Sequence, residues 1–214
     1  MILAIETSGG MSSVAVLNDG RVAAELSFPS RQELSQTLIG RIDAVLAQAG
    51  VKPEQLGAVA VSLGPGSFTS LRIGVVTAKA LAHALRLPIV GVPTPHAIAA
   101  GAGPRPGEIV VVVSRARADE AYVSILEAHP DGFAEPRPCT VMTDAEVEGM
   151  ITEMAPPPRV CREATAQARD VGRLALLRLR RQGPDDAFSL TPIYVRPSQA
   201  EALFGRGPGS GFRA

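Results

Sequence analysis

The chain has 214 residues, of which 46% are hydrophobic and 20% charged, and its formal net charge is zero. This composition is typical of a soluble globular protein with one large or two small domains, and the neutral balance gives no general attraction to nucleic acid or an anionic membrane. Met1 leads directly into an apolar strand without the basic start of a signal peptide, and no apolar run approaches a membrane span. Cys139 and Cys161 are too far apart in sequence for a redox or zinc motif, so we expect reduced thiols in a cytoplasmic protein.

The first hundred residues alternate apolar runs with turn signals. Asn18-Asp19-Gly20 is typical of a hairpin turn, so the chain is predicted to open with a three-stranded antiparallel meander. Helical periodicity follows the Ser30-x-x-Glu33 spacing of a capping box and stops at Gly50. The predicted elements are strands at 1–6, 13–17 and 21–28, a helix at 34–49, a strand at 58–62, a helix at 69–85 and a strand at 88–92. A meander that feeds parallel strands and crossover helices predicts an α/β fold with a mixed sheet flanked by helices.

The second half of the chain carries weaker signals. Glycine and proline mark residues 101–107 as a linker, and a proline-rich acidic stretch at 129–158 predicts little regular structure. The predicted elements are strands at 108–113 and 121–126, a helix at 163–182 and an extended piece at 193–195. The expected organisation is a first domain at 1–100, a smaller second α/β domain at 101–190, and a segment at 191–214 that packs back on the first domain and ends in a mobile tail at 205–214.

The glycine-proline-glycine elbow at 64–66 is the most informative local feature. Glycine and proline supply the turn, and the hydroxyls of Ser67, Thr69 and Ser70 can cap the free N–H groups of the next helix. A glycine-lined helix N-terminus can also bind an anion, so a phosphate site and a plain capped turn are both open. The run lacks the Gly-Lys-Ser/Thr ending of a Walker loop.

The loop between the first two strands, from Glu6 to Ser13, is rich in glycine and hydroxyl groups. Such a hairpin can cradle a phosphate, and Glu6 could hold a hydrated magnesium ion. An ordinary polar hairpin with a half-exposed acid explains the same residues equally well. His83, His96 and His129 each lack a second metal ligand at suitable spacing, so we expect structural or solvated roles for them.

Two helices have faces whose role the sequence leaves open. The helix at 69–85 is apolar nearly all round, so it must be covered on two sides, either by a partner chain or by the chain's own second domain. The arginines in and before the helix at 163–182 either face water or contact RNA phosphates. They are Arg162, Arg169, Arg173, Arg178, Arg180 and Arg181.

Several short runs occur in one order and at plausible spacing, and together they resemble the TsaB (YeaZ) family of bacterial proteins. They are Ile-Leu-Ala-Ile-Glu-Thr-Ser at 2–8, Gly-Pro-Gly-Ser-Phe-Thr at 64–69 with Leu-Arg-Ile-Gly at 71–74, Pro-Ile-Val-Gly-Val at 88–92 and Pro-Ile-Tyr-Val-Arg at 192–196. The resemblance is dense over 1–100 and thin over 105–125. It implies an actin/Hsp70/sugar-kinase-like fold of two related domains, with mixed sheets flanked by helices and a reduced second domain.

The resemblance also implies a function. Members of this family are non-catalytic partners of TsaD, the subunit that transfers threonylcarbamoyl to an adenosine beside the tRNA anticodon, and the small ATPase TsaE joins the assembly. For this chain it implies a heterodimer with TsaD, a homodimer when the chain is alone, and contact with tRNA only through the complex. No membrane role and no intrinsic cofactor are implied, although ATP or ADP could lie at the complex interface. The catalytic relative carries a His-x-x-x-His metal pair where this chain has Thr94 and Ile98, so neither a catalytic residue nor a metal site is expected.

Two sets of candidate residues follow from the resemblance and from the two-faced helix. The predicted partner interface consists of Leu38, Ile42, Arg72, Ile73, Val76, Ala80 and His83. The predicted nucleotide or phosphate loops consist of Glu6, Thr7, Ser8, Gly64, Gly66 and Ser67.

Some residues depart from the family pattern, and two competing functions are considered. Ser70 replaces a family glycine, and the family's Asp-Ala-Arg-x-Gly-Glu-x-Tyr hairpin has Arg115 and Asp119 in place of its acid and its glycine, which leaves the role of this hairpin open. One alternative is an ATP-binding phosphotransferase of the same superfamily, with Glu6 and the following loop at the phosphates. The other is a metallopeptidase, which needs metal ligands that the sequence does not offer.

Overall fold

A computed structural model describes residues 1–30, 33–117 and 119–195 of the chain, so the predicted tail at 205–214 lies outside the described residues. The strands are β1 Ile2–Glu6, β2 Met11–Asn18, β3 Arg21–Pro29, β4 Ala58–Ser62, β5 Ile89–Val92, β6 Ile109–Arg117, β7 Glu120–His129, β8 Gly132–Ala134, β9 Thr140–Thr143 and β10 Arg159–Arg162. The helices are α1 Leu34–Ala49, α2 Phe68–Leu85, α3 Thr94–Gly101, α4 Asp144–Glu153 and α5 Ala168–Gln182. Among the helices of these ranges, none has the length and hydropathy of a membrane span.

The first sheet is mixed, with the strand order β3-β2-β1-β4-β5. β1, β2 and β3 form the antiparallel meander, and β4 and β5 continue the sheet parallel to β1. Every residue of β1 and β4 is buried, because both faces of these central strands are covered. The predicted mixed sheet is confirmed, as is the hairpin turn, where Asp19 and Gly20 both adopt positive φ.

The two faces of the first sheet belong to two separate cores. α1 and α2 pack on one face, in a core that includes Val59 and Val75. α3, α5 and the second sheet cover the other face, in a core that includes Val90 and Val171. The second sheet has the order β10-β6-β7-β8, with β9 also paired to β7, and α4 packs on its outer face through Val147. The first sheet is therefore the central layer of the molecule.

The expectation of little regular structure at 129–158 is wrong. This stretch contains β8, β9 and α4, and α4 begins with a complete capping box. The Thr143 hydroxyl accepts from the N–H of Glu146 at 3.3 Å, and the Glu146 carboxylate accepts from the N–H of Thr143 at 2.7 Å. The Thr-x-x-Glu spacing at 143–146 is the sequence signal of this helix start, and the helix forms despite the prolines on either side of it.

Three further predictions about element ends need correction. The capping box at Ser30 and Glu33 does not form, since Glu33 is the N-cap without a side-chain bond and the Ser30 hydroxyl lies 2.5 Å from the Ser12 hydroxyl. Residues 94–101 form α3, for which no element was predicted, and α3 extends to the start of the expected linker. α5 begins at Ala168, later than expected, because Glu163 adopts a positive φ of 52° just after β10 and residues 164–167 are not helical.

The residues at 186–195, which we call the strap, run along α2. Leu190 is buried in the core beneath α2, and the N–H of Ile193 donates to the carbonyl of Leu63 at 2.7 Å. The ring of Tyr194 lies 4.8 Å from that of Phe68, in the first turn of α2. The described part of the C-terminal segment thus lies against the helix that follows the elbow.

The crossing of α5 over β1 and β2 predicts that one glycine is essential for packing. A Cβ added at Gly172 would lie 2.4 Å from Leu17 Cδ1 and 3.2 Å from Ala4 Cβ, and both of these side chains are wholly buried. We expect Gly172→Ala to lower the free energy of unfolding by about 1–3 kcal/mol through overpacking, as measured by urea denaturation. Gly149→Ala is the matched control in α4, where nothing lies within 4 Å of the added Cβ, and it should raise stability by about 0.5–1 kcal/mol. Equal effects of the two substitutions would contradict the tight crossing.

Candidate functional site

The elbow between β4 and α2 meets the loop between β1 and β2. The N–H of Ser67 donates to the carbonyl of Ser8 at 2.7 Å. Gly66 passes so close to this loop that an added Cβ would lie 2.2 Å from the Ser8 carbonyl oxygen, so the contact requires glycine. The structure therefore joins the two loops that the sequence singled out separately.

Thr94 attaches the same elbow to α3. The N–H of Gly64 donates to the Thr94 hydroxyl at 3.1 Å, and the N–H of Thr94 donates to the Gly64 carbonyl at 2.9 Å. Thr94 and Ile98, which stand at the metal positions of the catalytic relative, are both buried in packing roles. Sequence reasoning missed the role of Thr94, because nothing in a lone threonine points to a partner 30 residues away.

The hydroxyls at the start of α2 do not have the capping role predicted for them. Ser67 is the N-cap residue, but its hydroxyl makes no cap hydrogen bond and instead donates to the Ser70 hydroxyl at 3.0 Å. Both hydroxyls line a cavity between the two sheets. The start of α2 therefore presents polar groups to that cavity.

This cavity is a cleft of about 490 Å³ at the carboxyl ends of β1 and β4. Its size suits a small polar ligand. Loop glycines expose backbone groups to it, and Arg115 and Glu163 are charged residues on its walls. Its hydroxyl groups come from Ser8, Ser30, Ser67, Ser70, Thr94, Ser114, Tyr122 and Thr165.

The hairpin of β6 and β7 forms the far wall of the cleft. Arg115 and Tyr122 line the cavity from this side. The Arg115 guanidinium lies 4.0 Å from carboxylate oxygens of both Asp144 and Glu163. The hairpin whose role the sequence left open is thus a cleft wall, and its departure from the family pattern puts a cation there.

Glu6 lies behind the cleft and does not line it. Its side chain is wholly buried, and Oε1 accepts from both the N–H and the hydroxyl of Ser8 at 2.5 Å. Burial raises the pKa of Glu6, although hydrogen bonds from Ser8 and Ser62 act in the opposite direction. Neither alternative left open by the sequence fits, because Glu6 is not half-exposed and a wholly buried carboxyl does not suit a hydrated magnesium ion.

The other residues predicted for the phosphate loops fall into two groups, those that line the cleft and those that lie behind it. Ser8, Gly66 and Ser67 line the cleft. Thr7 lies beneath them against α2, where a Cβ added at Gly74 would lie 2.1 Å from the Thr7 hydroxyl oxygen. Gly64 is buried and bonded to Thr94, so half of the predicted set faces the cavity and half supports it.

Two residues predicted for the partner interface are inside the protein. Leu38 and Ile42 are only 1% and 2% exposed, and they pack in the core between α1 and the first sheet. A side chain at this depth cannot touch a partner, so this part of the prediction is wrong. Helical periodicity identified the apolar stripe of α1, but that stripe faces the chain's own sheet.

The outer face of α2 is open to solvent. The second sheet packs on the opposite face of the first sheet, so within the described ranges the chain's second domain does not cover α2. Val76, in the middle of the helix, is 64% exposed. The exposed residues predicted for the interface are Arg72, Val76, Ala80 and His83, with Ile73 half-buried beside them.

The arginines of α5 are all paired with carboxylates of this chain. The helix lies across the first sheet, and its basic side chains reach acids on neighbouring elements. The pairs are Arg169–Glu25, Arg173–Asp170, Arg178–Asp185, Arg180–Asp19 and Arg181–Asp131. Arg162, in β10, is paired with Glu148 at 2.7 Å. The side chains of these arginines are 36% to 61% exposed, so they face water, as one of the two alternatives from the sequence held, while each also pairs with an acid of this chain.

The histidines do not assemble a metal centre. His96 lies in α3, with Nε2 3.7 Å from Glu135 Oε2 and its ring 5.8 Å from that of Phe133, and burial lowers its pKa. A second cavity, of about 380 Å³, opens beside it, and the sequence gave no sign of this cavity. His83 and His129 are both exposed. In the described part of the chain, no three His, Cys, Asp or Glu side chains converge in a way that could hold a metal ion.

Comparison with known proteins adds independent findings. The family model of "TsaD: tRNA N6-adenosine threonylcarbamoyltransferase" matches residues 29–129. The tRNA threonylcarbamoyladenosine biosynthesis protein TsaB of Escherichia coli (strain K12) is 37% identical over 133 residues, which are 62% of this chain and 57% of that protein. The TsaB protein of Bacillus subtilis (strain 168) is 31% identical over 134 residues, or 63% of this chain and 58% of that protein. The chain thus spans less than two thirds of the length of these curated relatives.

A solved structure extends the similarity over most of the chain. It is an uncharacterized protein from Pseudomonas aeruginosa, described as having similarity to peptidase YEAZ. The two structures match with a TM-score of 0.77 at 26% identity, covering 91% of this chain and 99% of that chain.

The fold and its cleft place the chain in a broad structural class. Two mixed sheets flanked by helices, with a cleft between them, are an actin/Hsp70/sugar-kinase-like fold, as the sequence resemblance implied. Within that class, the sequence and structure of the chain are similar to those of TsaB (YeaZ) proteins.

The buried carboxyl of Glu6 predicts a pH-dependent term in stability. Because its pKa is raised above the ordinary value of 4.5, the folded state binds the proton more tightly than the unfolded state does. The contribution of Glu6 is therefore fully present below about pH 4.5 and is lost as pH rises through the raised pKa. The side chain introduced by Glu6→Gln carries no charge at any pH. We therefore expect the free energy of unfolding of this variant to rise relative to that of the wild type between about pH 4 and pH 8.

Urea denaturation across this pH range measures the difference between the two proteins. Glu153→Gln, at an exposed carboxyl in the last turn of α4, is the control for loss of a charge. A difference between wild type and Glu6→Gln that stays constant with pH would contradict the assignment.

Proposed function

We propose that the chain is the non-catalytic TsaB subunit of the bacterial tRNA N6-threonylcarbamoyladenosine modification complex. It binds and supports the catalytic TsaD subunit together with the ATPase TsaE in the cytoplasm, and it meets tRNA only through the complex. The names of its relatives, which are tRNA threonylcarbamoyladenosine biosynthesis proteins, support this pathway. The match of residues 29–129 to the transferase model supports a partnership between two related folds.

The observation that carries the proposal is the open outer face of α2. Arg72, Val76, Ala80 and His83 are spaced three or four residues apart, so they lie in one row along the helix. Val76 and Ala80 are the apolar members of this row, and their small exposed side chains let another helix approach closely. The chain has no second-domain cover for this row within the described residues. A second copy covers it when TsaD is absent, which gives a homodimer of the isolated chain.

The cleft supports a non-catalytic role. At the positions that the resemblance assigns to the metal ligands of the catalytic relative, this chain has Thr94, whose hydroxyl accepts from Gly64, and the aliphatic Ile98. Glu6, the acid nearest the loop at the cleft, is buried behind it. The hydroxyls and loop glycines of the cleft suit phosphate oxygens, and we propose that ATP or ADP is held there only when the partner subunit completes the site.

A phosphotransferase of the same superfamily is the second candidate, and the hydroxyl-rich cleft is the observation that favours it. Its catalytic base would have to be Glu163, which is 84% exposed at the rim and 4.0 Å from Arg115. Titration calorimetry of the isolated chain with ATP separates the two candidates. Micromolar binding by the chain alone would support the phosphotransferase, whereas binding that requires TsaD supports the accessory subunit.

Reconstitution tests the proposed function directly. We expect transfer of labelled threonylcarbamoyl to tRNA by the same organism's TsaD, TsaE and adenylate-forming enzyme to depend on this chain. The measurement is label retained on tRNA with and without the chain, with each other component checked for its own competence. Full transfer in the absence of the chain would overturn the accessory-subunit role.

Substitution of Val76 tests the α2 face. Val76→Asp places a charge in the middle of the exposed row, so we expect about 100-fold or greater loss of TsaD affinity by calorimetry, because an unpaired charge would be buried at the contact. The melting temperature should stay close to that of the wild type, since the side chain is 64% exposed in the isolated chain. Val22→Asp, at a 38% exposed valine in β3, is the matched control and should bind normally. Normal binding by Val76→Asp would show that the partner uses another face.

A further inference from the structure

The cavity of about 380 Å³ beside His96 is separate from the cleft. It lies where α3, α5 and the β7–β8 hairpin meet at the carboxyl end of β5, and we call it the α3–α5 cavity. Thr94 and Ile98, four residues apart on α3, line the cleft, whereas His96, between them in sequence, lies on the opposite side of the helix and lines the α3–α5 cavity. Among the described residues, none lines both cavities, and the volume is within the range of small-molecule sites.

Much of the wall of the α3–α5 cavity is apolar. Leu63, Val92, Pro93 and Leu174 contribute aliphatic surface, and Phe133 contributes an aromatic ring. Apolar surface of a ligand that packs here is removed from water, which is favourable, and a ring on the ligand also gains an offset or edge-to-face contact with Phe133. The wall therefore favours a ligand with a ring.

The imidazole of His96 is a second ring on this wall, with its centroid 5.8 Å from that of Phe133. Its Nε2 atom is buried and lies 3.7 Å from Glu135 Oε2, too far for a hydrogen bond, so this edge of the ring faces into the protein. Burial lowers the pKa of His96, although Glu135 acts in the opposite direction. The ring is therefore uncharged at pH 7 and adds no charge to the cavity.

Arg178 offers the cavity a flat face rather than a free hydrogen-bonding edge. Its Nη1 donates to the Gly91 carbonyl at 2.5 Å, its Nε donates to the Gln182 amide oxygen at 3.2 Å, and its Nη2 is paired with Asp185. Since all three nitrogens are engaged, the guanidinium cannot form the two-pronged contact that recognises a carboxylate or phosphate without breaking these bonds. Its flat face can still stack on an aromatic ring.

The charges around the cavity balance one another. Arg181 Nη2 lies 2.5 Å from Asp131 Oδ2, and both residues line the cavity. The two arginines, Arg178 and Arg181, are thus neutralised by two carboxylates, those of Asp185 and Asp131. A charged ligand would lose hydration here without meeting a free counter-charge, so the cavity favours an uncharged ligand.

We propose that the α3–α5 cavity binds an uncharged, planar heteroaromatic molecule of the size of a nucleobase or nucleoside, which packs against Phe133 and the flat face of Arg178. Polar atoms on the edge of such a ring meet the exposed rim of the cavity, where Gln182 lies. This inference does not rest on the proposed function, because the cavity shares no described residue with the cleft or with the outer face of α2. Each can therefore fail without the other.

The test is binding of three uncharged heteroaromatic probes, adenosine, cytidine and nicotinamide, to the full-length chain. Saturation-transfer NMR measures binding, and the side-chain resonances of His96 locate it, with those of the exposed His129 as an internal reference. We expect at least one probe to bind with a dissociation constant of about 1 mM or lower and to shift the resonances of His96 but not those of His129.

Two cavity variants and two matched controls test the location. Leu174→Trp fills the cavity and keeps its polar groups, and Phe133→Ala removes the ring, so we expect each to weaken binding at least about 10-fold. Leu176→Trp, on the same helix but outside this cavity, and Phe188→Ala, at an 87% exposed ring, should bind as the wild type does. The melting temperature of each variant is measured alongside, and Leu174→Trp decides the question if Phe133→Ala loses stability.

Three results would overturn the inference. The first is that none of the three probes binds the wild type at millimolar concentration. The second is binding that Leu174→Trp leaves unchanged, because the probe would then occupy the cleft or another surface. The third is binding of acetate or of tetramethylammonium in preference to all three probes, which would assign the cavity to an ion.

Discussion

The contact between the β4–α2 elbow and the loop after β1 is the constraint on which the rest of the structure depends. The N–H of Ser67 reaches the Ser8 carbonyl only because Gly66 has no side chain, and Thr94 holds Gly64 from the other side. These buried polar groups satisfy one another, so the elbow has little freedom to shift without leaving them unpaired. The contact fixes the start of α2, one wall of the cleft and the position of α3 together.

The placement of the second sheet decides which surface remains available. With α3, α5 and the second sheet on one face of the first sheet, α1 and α2 on the other face have only solvent beyond them. The arginines of α5 form ion pairs with acids of this chain, such as Arg169–Glu25 and Arg181–Asp131. The cations left without an acidic partner in the described ranges include Arg72 and Arg86, on the open helix. The exposed Val76 and these two arginines therefore lie along the same helix and its C-terminal end.

The cleft keeps the architecture of its superfamily, but its chemistry is different. Hydroxyl groups and loop glycines surround a cavity of about 490 Å³, while Glu6 is sealed behind it with a raised pKa. A buried carboxyl that accepts hydrogen bonds from its own loop is poorly suited to hold a hydrated metal ion.

The sequence by itself determined the local elements of the first hundred residues and the resemblance to the TsaB (YeaZ) family. Asn18-Asp19-Gly20 gave the hairpin, Gly50 gave the end of α1, and the elbow at 64–66 was found from its glycines, because these signals act over a few residues. Only the tertiary structure decided which side of each element is covered. Periodicity gave Leu38 and Ile42 as an apolar face without saying that their own sheet buries it, and it gave no sign that Thr94 reaches Gly64 or that Lys79 reaches the carbonyl of Phe188. These contacts join residues distant in the chain, so no local pattern encodes them.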